Sequence, residues 1–154
     1  MNKNDASILL VEDEKSDEIL TIRSLRSSNV KEKIYVAKDG EEAIHHLTDK
    51  TPDGQAYLHP LPIVVILDLK LPKIGGRDVL HQIRLHERTK LVPVIILSSS
   101  EEEDDLIKCY SFGANSYIQK PVDFEEFSSV IRQIGTYWLL LNKSPYIHNG
   151  RTDY

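Results

Sequence analysis

Residues 64–72 read VVILDLKLP, four apolar side chains running straight into an aspartate, Asp68. An ionised carboxylate at the end of a buried run is costly unless something partners it, so the placement calls for a reason. A continuous β-branched run suits a strand covered on both faces rather than one with a wet side. Four other short runs share the layout of IVVIL (63–67): ILLV (8–11), IYVA (34–37), VIIL (94–97) and SYIQ (116–119).

Between these runs the apolar residues recur at helical spacing. Residues 17–27 carry Ile19, Ile22 and Leu25, 40–47 carry Ala43, Ile44 and Leu47, and 76–86 carry Val79, Leu80 and Ile83. Residues 101–112 carry Leu106, Cys109 and Tyr110 behind the acidic start EEEDD (101–105). The last segment, 123–141, sets Phe127, Val130, Ile131, Ile134, Trp138 and Leu141 on one stripe. Ser100 with Glu103, and Asp123 with Glu126, have the spacing of capping pairs at helix starts. Strand and helix thus alternate five times, which predicts an α/β parallel sheet with helices on both faces and right-handed crossovers. The Pro-rich connection 48–62 reads as a surface loop before the third strand.

The chain has 154 residues, enough for one domain with its own core. That domain is placed at 1–141, with a tail, 142–154, too short to fold alone. A formal net charge of −5 argues against a nucleic-acid-binding face, which needs clustered Lys and Arg. The single cysteine, Cys109, precludes an internal disulfide and suits a reducing compartment. No stretch approaches the roughly 20 apolar residues of a membrane span, and MNKNDAS at the start lacks a signal peptide's apolar core. The expectation is a soluble, cytoplasmic domain. The histidines offer no metal motif, since His45 with His46 and His81 with His86 do not share helix faces.

In an open parallel sheet, ligands bind outside the carboxyl ends of the strands. Glu12 and Asp13 follow the first run, Asp68 the third, Ser98 the fourth and Lys120 the fifth. Lys38 and Asp39 follow the second, at the sheet margin. Three neighbouring carboxylates repel one another unless a cation sits among them, and a small oxygen-only set suits Mg²⁺. A lysine nearby supplies a point charge for a phosphoryl group, a serine hydroxyl can donate to it, and an aspartate can accept it covalently. The set predicts a Mg²⁺-dependent aspartyl-phosphate site. Each residue has a plainer reading: first-turn acid, helix cap or solvated lysine.

Taken together, ILLVEDE, VVILDLKLPKIGG, VIILSSS and NSYIQKPVDF resemble the receiver domain of two-component response regulators, over residues 6 to 141. KPVDFEEF and IGTYWLLLN are similar to stand-alone receivers associated with bacterial phytochromes. The resemblance implies a flavodoxin-like (βα)5 fold, doubly wound, with strand order 2-1-3-4-5. It makes Asp68 the phosphoacceptor. Asp13 and Asp68 would bind Mg²⁺ directly, Glu12 through water, and the Lys70 backbone carbonyl would add a ligand. Lys120 would pair with the phosphoryl group across a cis Lys120–Pro121 bond. Ser98 would move toward the phosphoryl, vacating space for the switch residue Tyr117 to turn inward. Lys70 stands where the chemotaxis regulator has a shorter polar residue. The implied partners are a sensor histidine kinase, a phytochrome among the candidates, and a downstream protein. The apolar YWLLL (137–141) adds an expected homodimer through the face of helix four, strand five and helix five. No chemistry on a second substrate is implied, so the chain would not be an enzyme beyond its own phosphorylation and dephosphorylation.

Three other readings compete. A haloacid-dehalogenase-type phosphatase needs a second aspartate two residues after the nucleophile, where Lys70 stands. A flavodoxin-like electron carrier needs a phosphate-binding turn after strand one, and VEDEKSD is acidic and lacks glycine. A degenerate receiver, binding partners without phosphorylation, is opposed by the intact acids and Lys120.

Overall fold

The five apolar runs form the strands β1 (Ser7–Val11), β2 (Lys33–Ala37), β3 (Val64–Leu67), β4 (Val94–Ser98) and β5 (Ser116–Gln119). In the computed structural model, which describes residues 6–145, 147–148 and 151–152, they build one sheet in the order β2-β1-β3-β4-β5. Every pairing is parallel. The expected strand order is therefore observed. The three continuously apolar runs are the inner strands and are wholly buried, whereas β2 and β5 lie at the margins and stay partly open.

Alternation along the inner strands divides the core in two. Leu9, Val11, Val65, Leu67, Val94 and Ile96 face one layer, with Ala43, Leu47, Val79, Leu80 and Ile83. Ile8, Leu10, Val64, Ile66, Ile95 and Leu97 face the other, with Leu25, Phe127, Ile131 and Ile134. The helices α2 (Gly40–Thr48) and α3 (Gly76–Leu85) thus cover the first face, and α1 (Lys15–Ser27) and α5 (Phe124–Gly135) the second. Each fully buried Leu or Ile contributes roughly 1.5–3 kcal/mol, so the layers stabilise the sheet without relying on its polar edge. The fourth helix, α4 (Glu103–Ser111), buries Cys109 alone, with Leu106 39% and Tyr110 51% exposed. The three-residue stripe read there is accordingly one residue deep.

Helix starts follow sequence chemistry in two cases. Asp39 accepts from the Glu42 amide at 2.8 Å, and Asp123 from the Glu126 amide at 2.9 Å, as its spacing predicts. Ser100 departs from the expected pairing with Glu103. Its hydroxyl accepts from the Glu102 amide at 3.2 Å and donates to Asp105 at 2.6 Å. The helix starts at Glu103, which leaves Ser100 outside capping range; the acids Glu103, Asp104 and Asp105 still occupy the first turn, favoured by the helix dipole.

The stripe read along α5 holds through Ile134 and Trp138 and fails at Leu141. Residues Thr136–Leu141 form a π-helical turn, closed by the Asn142 amide on the Tyr137 carbonyl. The wider turn changes the phase of the side chains. Trp138 and Leu139 pack inward, and Leu141, expected on the buried stripe, is 67% exposed.

The 48–62 connection is tied to the body. Lys50 and Tyr57 form an antiparallel bridge across it. Arg88 donates to the carbonyls of Leu47 and His59 at 2.6 and 2.8 Å and lies 3.7 Å over the Tyr57 ring. His46 stacks on His59 with centroids 4.2 Å apart. In the tail, Ile147–His148 pairs with Arg151–Thr152 as a two-residue antiparallel ladder. Among the described residues no helix is long and apolar enough to cross a membrane.

Candidate functional site

The backbone ladder of the sheet continues one residue past three of the strands. Glu12 donates its amide to the Ala37 carbonyl at 3.0 Å, Asp68 to Val11 at 3.1 Å and Lys120 to Ser98 at 2.8 Å. Each of these side chains is thereby fixed on the carboxyl edge of the sheet by its neighbouring strand. The loop leaving Asp68 is gripped from both sides. The Gly76 amide donates to the Leu69 carbonyl at 2.8 Å, and a Cβ on Gly76 would fall 2.2 Å from the Asp68 carbonyl oxygen. A Cβ on Gly40 would fall 2.0 Å from that of Ile74. Only glycine allows the starts of α2 and α3 this close to the loop.

Three carboxylates surround one ammonium. Lys120 Nζ donates to Glu12 Oε2 at 2.8 Å, Asp17 Oδ2 at 2.9 Å and Asp68 Oδ2 at 3.2 Å. Asp68 is 7% and Glu12 2% exposed, while Asp13 lies open to solvent. The other oxygen of Asp68 accepts from the Leu69 amide at 2.7 Å, and Glu12 Oε1 accepts from the Glu14 amide at 3.1 Å. Burial pushes the Glu12 carboxyl up to about 7, against the hydrogen bond from Lys120 and with the charge of Asp68 adding to the rise. Burial also works against the Lys120 ammonium. Its hydrogen bonds to Glu12 and Asp17 and the charges of Asp68 and Glu12 outweigh that and hold it above the ordinary lysine range.

One carboxylate oxygen from each of Glu12, Asp13 and Asp68 lies within 4.8 Å of the others. A single lysine cannot neutralise this group of three carboxylates. An all-oxygen donor set with one open side fits a hard divalent cation that keeps several waters.

The remaining expected residues stand around this centre. Ser98 is fully buried at the end of β4, its hydroxyl accepting from the Ser100 amide at 3.2 Å. Tyr117 is half-buried against the α2–α3 layer and already donates to the Ser100 carbonyl at 3.3 Å. The Lys70 side chain is exposed. The Lys120–Pro121 bond is trans, correcting the cis bond implied by resemblance, for no cis peptide occurs among the described residues. Trans is the lower-energy X–Pro isomer by about 0.5–1 kcal/mol, and Lys120 reaches all three carboxylates in that form. Lys38 turns away from the centre to pair with the buried Glu18, and Asp39 is occupied capping α2.

Sequence reasoning missed Asp17. An acid in the first turn of a helix has an ordinary explanation in the helix dipole, and its partner Lys120 lies 103 residues away. The roles of Gly40 and Gly76 were equally hidden, because close backbone approach leaves no mark in periodicity.

Residues 8–132 match the model of the response regulator receiver domain family. The probable methanogenesis regulatory protein FilR2 of Methanothrix harundinacea is 38% identical over 90% of this chain and 86% of its own. The response regulator Rcp1 of Synechocystis sp. is 34% identical over 86% of this chain and 88% of its own. The crystal structure of Mn²⁺-bound Rcp1 superposes with a TM-score of 0.84 at 33% identity, covering 91% of this chain and 99% of that one. That of the phosphorylated cyanobacterial phytochrome response regulator RcpA gives 0.83 at 34% identity, covering 91% and 98%. Receiver domains bind a divalent metal at an acidic pocket, and Glu12, Asp13 and Asp68 form an acidic group that could hold one. Match length, fold and site agree, and the chain belongs to the response regulator receiver domain family.

Proposed function

We propose that the chain accepts a phosphoryl group on Asp68 from a sensor histidine kinase and passes the signal on through protein contacts. The observation that carries this is Asp68 itself, seated between the Lys120 ammonium and the carboxylate cluster on the sheet edge. The Leu69 amide fixes one oxygen of Asp68, which leaves the oxygen facing Lys120 to attack phosphorus in line. The new O–P bond forms as the P–N bond to the kinase histidine breaks, and the departing imidazole keeps the electron pair. Lys120 neutralises developing charge on the phosphoryl oxygens, and Ser98 donates its hydroxyl to one of them.

Mg²⁺ is the cation we assign, held by Asp13 and Asp68 directly, by Glu12 through water and by the Lys70 carbonyl; when bound it supplies neutralising charge beside the acceptor. The added group brings about −1.5 to −2 of charge. It draws Ser98 inward and shifts the Ser100–Tyr117 contact, and with it the α4 side. Since Tyr117 reaches Ser100 beforehand, the phosphoryl group selects among arrangements rather than opening a space. Kinship with RcpA supports a phytochrome as the kinase. Exposed Tyr137, Leu140 and Leu141 in the π-helical turn after α5, with Ile107 and Tyr110 on α4, support a homodimer through the α4–β5–α5 face. Residues 1–141 form the receiver unit and 142–154 its tail, acting in the cytoplasm with no second substrate. The phosphatase reading fares worse, since Lys70, where a second acid is required, points to solvent.

Incubation with labelled acetyl phosphate and Mg²⁺ tests this. The protein is expected to take up label, Asp68→Asn to take up none, and chelation to abolish labelling of the parent. Equal labelling of Asp68→Asn would remove Asp68 as acceptor.

A further inference from the structure

Lys120 has three N–H donors and spends one on each of Glu12, Asp17 and Asp68. Two of those acceptors have another role, since Glu12 and Asp68 supply oxygens to the convergent cation cluster. Asp17 does not belong to that cluster. It stands on the first turn of α1, with its side chain 31% exposed against 3% for Glu12 and 8% for Asp68. Its contact with Lys120, at 2.9 Å, is shorter than that of Asp68 at 3.2 Å.

We infer that Asp17 is a positioning residue for the phosphoryl transfer: it anchors the Lys120 ammonium from α1, so that the remaining donors stay aimed at Asp68. This rests on the reading of Asp68 as phosphoacceptor. Whatever draws Glu12 and Asp68 together loosens their hold on the lysine, and an acceptor outside the cluster retains its own. The anchor is also rigid where it needs to be. A short aspartate on a helix start has few rotamers, and α1 is packed on the sheet through Leu25. The ammonium can then pivot from Asp68 to the phosphoryl oxygens without leaving the site. A long flexible side chain such as lysine, held at one end only, would spend much of its time elsewhere. A plain helix-dipole role for Asp17 predicts an effect on α1 stability and none on Lys120.

The test is the rate of labelling by acetyl phosphate at saturating Mg²⁺, in parent, Asp17→Ala and Asp17→Asn proteins, each checked by thermal unfolding. Misplacing a reacting group by about an ångström costs up to roughly a hundredfold, so Asp17→Ala is expected to slow labelling by about tenfold. Asp17→Asn retains an acceptor oxygen and is expected to be intermediate. The half-saturating Mg²⁺ and acetyl phosphate concentrations are expected to stay within about twofold, which places the loss in the maximal rate. In a Lys120→Ala background, Asp17→Ala is expected to have almost no further effect, as for two residues acting as one unit. A parent-like rate in Asp17→Ala, a half-saturating Mg²⁺ concentration raised well beyond twofold, or a full Asp17→Ala defect without Lys120 would each overturn the inference. Should Asp17→Ala fold poorly, Asp17→Asn alone decides, since a parent-like rate there with an intact fold removes the anchor's charge from the mechanism. A parent that takes no label overturns the phosphoacceptor reading and this inference with it.

Discussion

Two polar clusters sit on this fold, and they are built on opposite plans. At the carboxyl edge of the sheet, Glu12, Asp17 and Asp68 crowd around one ammonium, and Asp13 converges with Glu12 and Asp68. Beside α2, the 48–62 loop is held by Tyr35, His46, His59 and Tyr57 around Arg88. The second cluster is built of stacked rings and a guanidinium bonded to backbone carbonyls. The first is left with surplus negative charge. The second cluster brings no carboxylates together, whereas the first keeps a surplus of negative charge that a cation can fill.

Removing the central cation of each cluster should expose that contrast. Lys120→Ala leaves buried carboxylates unpaired, and at pH 8 without divalent ions it is expected to destabilise the fold by roughly 3 kcal/mol, read from urea unfolding. Added Mg²⁺ should restore part of that loss. Arg88→Ala should cost less, roughly 1–2 kcal/mol, and Mg²⁺ should leave it unchanged. Equal Mg²⁺ responses in the two variants would erase the distinction.

The smallest effect is one of slope. Burial, with the charges of His59 and Arg88, pulls the His46 imidazole down from 6.5 to about 4, and its buried Nε2 lacks a hydrogen-bond partner. Between those values the unfolded chain binds a proton that the folded chain refuses. The contribution of His46 to stability therefore falls as pH drops from about 6.5 toward 4. Glu12, pushed up from 4.5 to about 7, has the opposite sign in chelator-treated protein: its contribution falls as pH rises through that range. His46→Phe keeps a stacking ring without a titrating nitrogen and should flatten the first slope alone, as measured by unfolding across pH 4–7.

How much of this could be read beforehand depended on whether chemistry and position coincided. Glu12, Asp13, Asp68 and Lys120 were legible because parallel strands end on one edge, so a residue following each apolar run has a known address. The burial of the inner strands followed from the same runs, and the strand order from the resemblance to receiver domains. Asp17 was invisible, since its meaning lies in a contact across the fold and its local role looked complete. Leu141 misled because a helical stripe presumes a constant turn, and the π-helical turn at Thr136–Leu141 breaks that presumption. Ser100 looked like a cap, yet the three acids that follow carry the helix start past it.

The glycine grip on residues 69–75 has a mechanical consequence. On the α3 side the acceptor is walled by backbone packed against backbone, at distances where Gly40 and Gly76 admit no added atom. On the α4 side the wall is the Ser98–Glu102 segment, kept in place by side-chain links such as Ser100 to Asp105 and Tyr117 to Ser100. The pocket therefore has one wall of close-packed backbone and one wall held by side-chain hydrogen bonds. Phosphorylation of Asp68, as proposed, would thus meet packed backbone on one side and breakable side-chain hydrogen bonds on the other, which favours a response on the α4 side.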